Sequence, residues 1–160
     1  MQPDWTREHK RRFEWSPSKS LLAALRSYHR GGKLRRFLAK RRIQFWSVIT
    51  GADIAPEAKL GGGLMLPHPN GLVFHRDVVI GVNCMIMQQV TIGQLATGGV
   101  PRLGNNVYVG AGAKLLGPIT IGDNASIGAN AVVLADVPPN STAVGIPARV
   151  IRQREAAPHT

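Results

Sequence analysis

Cysteine, aromatic residues and long apolar stretches are all scarce in this chain of 160 residues. The single cysteine, Cys84, excludes a disulfide framework and a cysteine-rich zinc site. No apolar run approaches the roughly 18–20 residues that cross a bilayer. The N-terminus also lacks the basic flank and apolar stretch of a secretory signal. Because only 6% of the residues are aromatic, we expect an aliphatic core. The single cysteine is typical of a protein of the reducing cytoplasm.

Acidic residues are few as well, with 9 Asp and Glu against 20 Lys and Arg, so the net charge is +11. The excess lies in residues 1–50, which hold 13 basic and 3 acidic residues, whereas residues 51–160 hold 7 and 6. The second segment also holds 16 of the 18 glycines. This contrast predicts a basic N-terminal segment (1–50), a main domain (51–151) and a polar tail (152–160).

A six-residue period runs through the main domain. Large apolar residues lead each repeat, and another apolar residue follows most of them four positions later. The 13 lead positions are Ile54, Leu60, Leu66, Phe74, Ile80, Ile86, Ile92, Leu103, Val109, Leu115, Ile121, Ile127 and Val133. The period fits neither an α-helix nor an alternating strand, and it is typical of the hexapeptide repeat of a parallel β-helix. Glycine, asparagine and aspartate are expected at the corners, where they adopt positive φ readily.

Two insertions interrupt the period. Between Leu66 and Phe74 there are two residues too many, in the stretch 67–71 that contains His68. Between Ile92 and Leu103 there are five too many, in the glycine-rich stretch 94–101, for which we predict a flexible loop. Insertions in a solenoid become loops on one face, often the functional face. His68 is therefore the first candidate for chemistry.

The basic N-terminal segment is predicted to be helical. Ser16-Pro17 is typical of a helix start, and an apolar stripe that ends at Gly31-Gly32 follows it, made by Leu21, Leu22, Leu25 and Tyr28. A second amphipathic segment is indicated by Leu34, Phe37, Leu38, Phe45 and Trp46. Three interpretations of this segment stay open: packing against the main domain or other subunits, contact with an anionic membrane surface, and nucleic-acid binding. The last is disfavoured because no nucleic-acid module accompanies the charge.

Five stretches of the chain resemble the hexapeptide acyltransferase superfamily, and within it the serine O-acetyltransferases. They are residues 52–61, which begin Ala-Asp-Ile-Ala-Pro, 68–73 (His-Pro-Asn-Gly-Leu-Val), 89–93 (Gln-Val-Thr-Ile-Gly), 109–117, which begin Val-Gly-Ala-Gly-Ala-Lys, and 144–149 (Val-Gly-Ile-Pro-Ala-Arg). The resemblance implies a mainly β fold, a left-handed parallel β-helix with a short α-helical N-terminal segment. At three hexapeptides per coil, the 13 leads predict about four coils. A homotrimer with active sites between subunits is also implied, with acetyl-CoA as co-substrate and no metal.

The resemblance also implies roles for individual residues. His68 corresponds to the general base that activates an acceptor hydroxyl, a task that suits an imidazole with an ordinary pKa of about 6.5. Asp53 corresponds to the aspartate that orients this histidine. Acetyl-CoA is expected along Gly93, Ala111 and Ala129, with Lys114 and Arg149 near its phosphates. His75 is expected to be a surface residue, and Cys84 an inert core residue.

At several positions the chain departs from the serine acetyltransferase pattern. Val100 and Gly99 stand where that family has a histidine preceded by an arginine, and Pro67 and Arg76 replace two acidic residues. The replaced groups are those that would recognise serine. The acceptor is therefore predicted to be a small-molecule hydroxyl, either of L-serine or of a sugar or exopolysaccharide precursor. A non-catalytic scaffold that binds a partner through its basic helices is the further alternative. The expected location is the cytoplasm, with membrane contact through residues 1–50 placing it at the inner face.

Overall fold

The computed structural model describes residues 1–153, and most of this length is a parallel β-helix preceded by two helices. A short 3-10 helix spans Trp5–Glu8, and the α-helices are α1 (Pro17–His29) and α2 (Lys33–Thr50). The strands are β1 (Asp53–Ile54), β2 (Lys59–Leu60), β3 (Val73–Phe74), β4 (Val79–Ile80), β5 (Met85–Ile86), β6 (Thr91–Gly93), β7 (Arg102–Leu103), β8 (Tyr108–Val109), β9 (Lys114–Leu116), β10 (Thr120–Ile121), β11 (Ser126–Ile127), β12 (Val132–Val133), β13 (Ser141–Gly145) and β14 (Ala148–Gln153). The architecture expected from the repeat and the resemblance, a β-helix with a short helical N-terminus, is confirmed.

Three parallel sheets form the walls of the β-helix. Sheet A consists of β1-β3-β6-β9-β12, sheet B of β2-β4-β7-β10, and sheet C of β5-β8-β11-β13-β14, in which only the pair β13–β14 is antiparallel. Each passage through the three sheets makes one coil, and the described residues make five coils. The predicted number of four was too low. Val137 closes the fifth coil by bridging to Ile121. It follows Val133 after four residues rather than six, so the six-residue period does not predict it as a lead position.

The lead residues of the repeat fill the interior. The interior side chains Ile86, Ile92, Leu115, Ile121 and Ile127 are fully buried, and small residues at the alternate inward positions leave room for them. Phe74 is the only buried aromatic side chain in the part of the chain described. The expectation of an aliphatic core is confirmed.

Asparagines occupy the corners between sheets B and C. Asn106, Asn124 and Asn140 all have φ near +55°, a conformation that asparagine tolerates better than most residues. They stack in successive coils, because the Asn106 Nδ2 donates to Asn124 Oδ1 and the Asn124 Nδ2 donates to Asn140 Oδ1, both at 3.0 Å. The predicted use of asparagine at corners is thus confirmed, and here it also links one coil to the next.

Replacement of Asn124 by alanine is expected to lower the free energy of unfolding by about 1–3 kcal/mol, because it removes two hydrogen bonds and places a Cβ without a polar group at positive φ. Asn124→Gly is the matched variant, since it loses the same bonds but accepts the backbone conformation. Denaturant titration of both variants separates the two contributions. Equal losses would show that the backbone conformation contributes nothing.

The first coil has no preceding coil to pair with its backbone, and the N-terminal segment covers it. Arg26 of α1 donates to the carbonyls of Leu60 and Gly61 (2.6 Å for Gly61). The same guanidinium pairs with Glu8 at 2.7 Å, and Glu8 accepts from the Leu64 N–H at 3.0 Å. Both ionic side chains are at most 16% exposed. This buried pair therefore replaces the hydrogen bonds that a further coil would supply.

The helices also extend the hydrophobic core. Leu21, Leu22 and Leu25 of α1 belong to the same buried cluster as the β-helix interior, so the stripe predicted for the first helix is confirmed as a packing face. In α2 the buried residues are Ala39, Ile43 and Thr50, and Trp46 is half-buried against the core. The remaining residues of the second predicted stripe, Leu34, Phe37, Leu38 and Phe45, are more than half exposed. They face away from the protein because α1 and the first coil cover only the opposite side of α2.

The C-terminal end of the β-helix is covered by an antiparallel strand instead of a helix. Strand β14 turns back on β13 and pairs with it in antiparallel register, Val144 opposite Arg149 and Gly145 opposite Ala148. This strand runs to Gln153, beyond the predicted domain end at residue 151. Residues 154–160 of the predicted polar tail lie outside the described part of the chain.

Candidate active site

One outward-facing row of sheet A carries several of the candidate site residues. Asp53 pairs in register with Val73, Val73 with Thr91, and Thr91 with Lys114. At a strand spacing of roughly 4.8 Å, Asp53 and Lys114 lie about 14 Å apart along the row. Gly93 lies at the end of the same strand as Thr91 and is opposite Leu116. The predicted acid and part of the predicted cofactor site thus share one face.

The corner between sheets C and A runs alongside that row. Ala111 and Ala129 occupy this corner in successive coils, and the Ala111 carbonyl accepts from the N–H of Asn130 at 2.7 Å. Ala111 is half-buried and Ala129 is exposed. Small side chains at these positions leave the backbone of the corner accessible along the length of the β-helix.

His68 lies at the same corner, in the insertion between the first and second coils. The insertion is anchored to the chain on either side at its C-terminal end, because the Gly71 N–H donates to the Gly51 carbonyl at 2.9 Å and the Asn70 carbonyl accepts from the Gln89 N–H at 2.8 Å. Pro67 and Pro69 flank the histidine and restrict its backbone. The His68 side chain is exposed on this fixed loop, which leaves it free to meet a substrate.

His68 opens into a surface depression of about 500 Å³. Its wall includes residues that the sequence did not nominate: Trp15, Ser16 and Ser18 from the start of α1, Thr50 from the end of α2, and Asn70 from the loop. Trp15 is held in place by an edge contact with Trp46, with 5.9 Å between ring centroids. Apart from His68, this wall carries no ionisable side chain.

Asp53 opens into a second depression, of about 470 Å³, between α2 and the first coil. Lys40, Gln44 and Glu57 line it together with the aspartate. Among the described residues no hydrogen bond or ion pair links the Asp53 carboxylate to His68. The pairing of these two residues therefore remains a prediction.

The two basic residues expected near the cofactor phosphates have different surroundings. Lys114 Nζ donates to the Gln89 carbonyl at 2.7 Å, so its ammonium group lies against the coil below. Arg149 lies on β14 at the last coil, exposed, with a hydrogen bond only to the neighbouring Ala148 carbonyl at 3.0 Å among the described contacts. Of the candidate residues, Arg149 is thus the one outside sheet A and its corner.

The second insertion forms a compact turn, and its flexibility stays a prediction. The Gly98 N–H donates to the Leu95 carbonyl at 2.9 Å, and an ideal Cβ on Gly99 would contact the Pro118 ring. Val100 packs against the hydrophobic core. Gly99 permits this close approach to the neighbouring coil, whereas Gly98 faces open space and is required for its positive φ of +85°.

A polar atom that the sequence did not single out lies near the same corner. Gln88 Oε1 is buried and has no hydrogen-bond partner among the described residues. The Gln88 backbone carbonyl accepts from the Gly112 N–H at 2.9 Å, which places this side chain beside the corner row of Ala111. A buried acceptor without a partner is unusual in a folded protein, so Gln88 joins the candidate site residues.

Cys84 and metal-ligating groups take no part in this arrangement. Cys84 is fully buried, as predicted, and burial raises the pKa of its thiol, which disfavours the reactive thiolate. Within residues 1–153, no three His, Cys, Asp or Glu side chains are grouped closely enough to hold a metal ion. Neither α1 nor α2 is both long and apolar enough to cross a membrane.

Comparison with known proteins identifies the family. The family model for bacterial transferase hexapeptide (six repeats) matches residues 101–135. Serine acetyltransferase of Helicobacter pylori is 48% identical over 120 residues, which cover 72% of this chain and 69% of that protein. This chain belongs to the serine acetyltransferase family.

Solved structures of serine acetyltransferases share the fold as well. The Brucella abortus serine acetyltransferase in complex with Coenzyme A superposes with a TM-score of 0.80 at 33% identity, covering 89% of this chain and 59% of that one. The soybean serine acetyltransferase complexed with serine gives 0.72 at 38% identity, covering 84% and 56%. The present chain spans between 44% and 69% of the length of the first curated serine acetyltransferases that it matches.

Proposed function

We propose that the protein is an acetyl-CoA-dependent O-acetyltransferase that transfers acetyl directly to an acceptor hydroxyl. The observation that carries the proposal is the alignment of His68, Asp53, Gly93 and Ala111 along sheet A and its corner. Similarity to serine acetyltransferases, one of them in complex with Coenzyme A, supports acetyl-CoA as the co-substrate.

In the proposed mechanism His68 accepts the proton of the acceptor hydroxyl as its oxygen attacks the thioester carbonyl. Asp53 orients the imidazole and stabilises its protonated form. Backbone N–H groups near Gly93 and in the 94–101 turn stabilise the oxyanion of the tetrahedral intermediate. As that intermediate collapses, the C–S bond breaks and the imidazolium returns the proton to the CoA thiolate. Since Cys84 is buried, no covalent acyl-enzyme is invoked.

Acetyl-CoA is proposed to lie along the corner made by Ala111 and Ala129, beside Gly93. Small residues there let the pantetheine chain approach backbone amides. Arg149, which is exposed at the last coil, and Lys114 are the candidates for its phosphates, although Lys114 would have to release the Gln89 carbonyl. In a homotrimer, the neighbouring β-helix would form the second wall of this groove.

A sugar hydroxyl is a second candidate for the acceptor beside L-serine. The depression around His68 offers the indole of Trp15, the hydroxyls of Ser16, Ser18 and Thr50 and the amide of Asn70. An apolar ring face and neutral hydrogen-bonding groups match a carbohydrate, whereas the carboxylate and ammonium groups of serine call for charged partners. Val100, packed in the core, adds no such partner.

Release of free thiol from acetyl-CoA, measured with L-serine and with a panel of neutral sugars, tests the proposal. We expect acceptor-dependent turnover, and a preference for a sugar would support the second candidate. Turnover with serine alone would refute the sugar acceptor. No turnover with any acceptor would refute the enzyme and favour the non-catalytic scaffold.

Assembly and location also belong to this proposal. A homotrimer with active sites between subunits follows from the family resemblance, and a cytoplasmic enzyme follows from the composition. We also propose that residues 1–50 contact the inner surface of the membrane. Nucleic acid is the disfavoured partner. The exposed residues of α2 bear on that choice.

A further inference from the structure

Helix α2 has two apolar faces on opposite sides. At about 3.6 residues per turn, Ala39, Ile43 and Trp46 fall on one side, and this side packs on the protein. The opposite side carries six large apolar residues that are between 46% and 83% exposed: Leu34, Phe37, Leu38, Phe45, Val48 and Ile49. We call these six the outer face of α2. A helix that needed only one packing face would carry polar residues there.

Charge of one sign surrounds the outer face. Helix α2 carries six basic residues and no acidic residue: Lys33, Arg35, Arg36, Lys40, Arg41 and Arg42. None of the six forms an ion pair with a carboxylate in the part of the chain described. Arg41 lies within the outer face, with its guanidinium 5.5 Å from the Phe37 ring centre. The surface is thus apolar along its centre and cationic at its borders.

The chemistry of this surface discriminates between partners. A second copy of the chain packed with its α2 against this one would bring two sets of six cations together. Nucleic acid would neutralise the cations but leave six large apolar side chains in water. An anionic bilayer surface accommodates both the cations and the apolar side chains of the outer face. Its phosphate headgroups meet the basic residues, while the apolar side chains enter the acyl boundary.

We propose that the outer face of α2 docks the protein on an anionic lipid bilayer, with the helix lying in the plane of the interface. The proposal does not depend on the acetyltransferase activity, since none of these six residues is assigned to catalysis.

Sedimentation with vesicles tests the docking surface directly. The full chain is expected to bind phosphatidylcholine vesicles that contain about 30 mol% phosphatidylserine. Binding is expected to disappear on pure phosphatidylcholine and to weaken as salt is raised. The double variant Phe45→Ser/Val48→Ser is expected to bind on the order of tenfold more weakly, because two apolar side chains no longer enter the interface.

The matched control is Tyr108→Ser/Leu134→Ser, which removes one aromatic and one aliphatic residue, 41% and 48% exposed, from the β-helix. Binding of this control should equal that of the unmodified chain. Absence of vesicle binding overturns the proposal, and so does an equal loss in both double variants. Self-association that depends on Phe45 and Val48, without vesicle binding, would assign the face to a second copy. Binding of duplex DNA in preference to the vesicles would assign it to nucleic acid.

Discussion

Replacing His68 by alanine is expected to reduce acetyl-CoA-dependent thiol release by about a hundredfold to ten-thousandfold, the contribution of a positioned general base. The hydroxyl of the acceptor would then have to lose its proton to water as it attacks. Because the side chain is exposed on a loop anchored by backbone hydrogen bonds, the fold should be unaffected. The rate is measured as free thiol in steady state, and folding by thermal denaturation.

His75 is the matched control; it directly follows β3, at the corner between sheets A and B, whereas His68 precedes β3 at the corner between sheets C and A. It is half-buried, and its Nδ1 accepts from the Asp77 N–H at 3.3 Å and lies 3.7 Å from the Asp77 carboxylate. His75→Ala should keep full activity. Equal losses in the two variants would mean that the assay reports stability. An undiminished rate in His68→Ala would refute the base but not the transferase activity itself.

Loss of the Arg26 side chain is expected to be the most damaging single change to stability. Arg26→Ala leaves the Glu8 carboxylate and the carbonyls of Leu60 and Gly61 without their partner in a largely buried position. Breaking a buried pair by removing one member costs about 3–5 kcal/mol. The free energy of unfolding from denaturant titration gives the value.

Arg30→Ala provides the comparison. Arg30 is exposed and stacks over the same Trp5 ring as Arg26, at 5.7 Å and 5.5 Å respectively, but it forms no ion pair in the described residues. Its loss should cost about 1 kcal/mol or less. Arg26→Lys keeps the charge without the planar fork, and should fall between the two. Equal effects at positions 26 and 30 would show that stacking on Trp5, and not closure of the first coil, is what matters.

The repeat allowed most of the fold to be predicted because each inward position of a β-helix has the same surroundings. Where that regularity ends, the spacing could not predict the structure, and the number of coils was predicted too low. Val137 enters the fifth coil four residues after Val133 instead of six, and the turn at 94–101 packs against Pro118 through Gly99. Neither contact can be inferred from local spacing, since each depends on a neighbouring coil.

The site was predictable in its residue types more than in its walls. His68 stood out because it interrupts the repeat, and Asp53 came with the family resemblance. Trp15 and Thr50 could not be found in this way, because they reach the His68 depression from two helices that the repeat does not describe. The pair Glu8–Arg26 was missed for the same reason, since a partner 18 residues away lies on a different element.

The two ends of the β-helix together fix its length. A solenoid made of identical coils presents an open strand edge at each end, and such an edge is a template on which further chains can add. Here an arginine–glutamate pair occupies one edge, and β14 runs against the parallel direction at the other. Neither end offers a parallel strand to a second β-helix. Closure of both edges is thus the means by which this fold opposes the growth of a fibre.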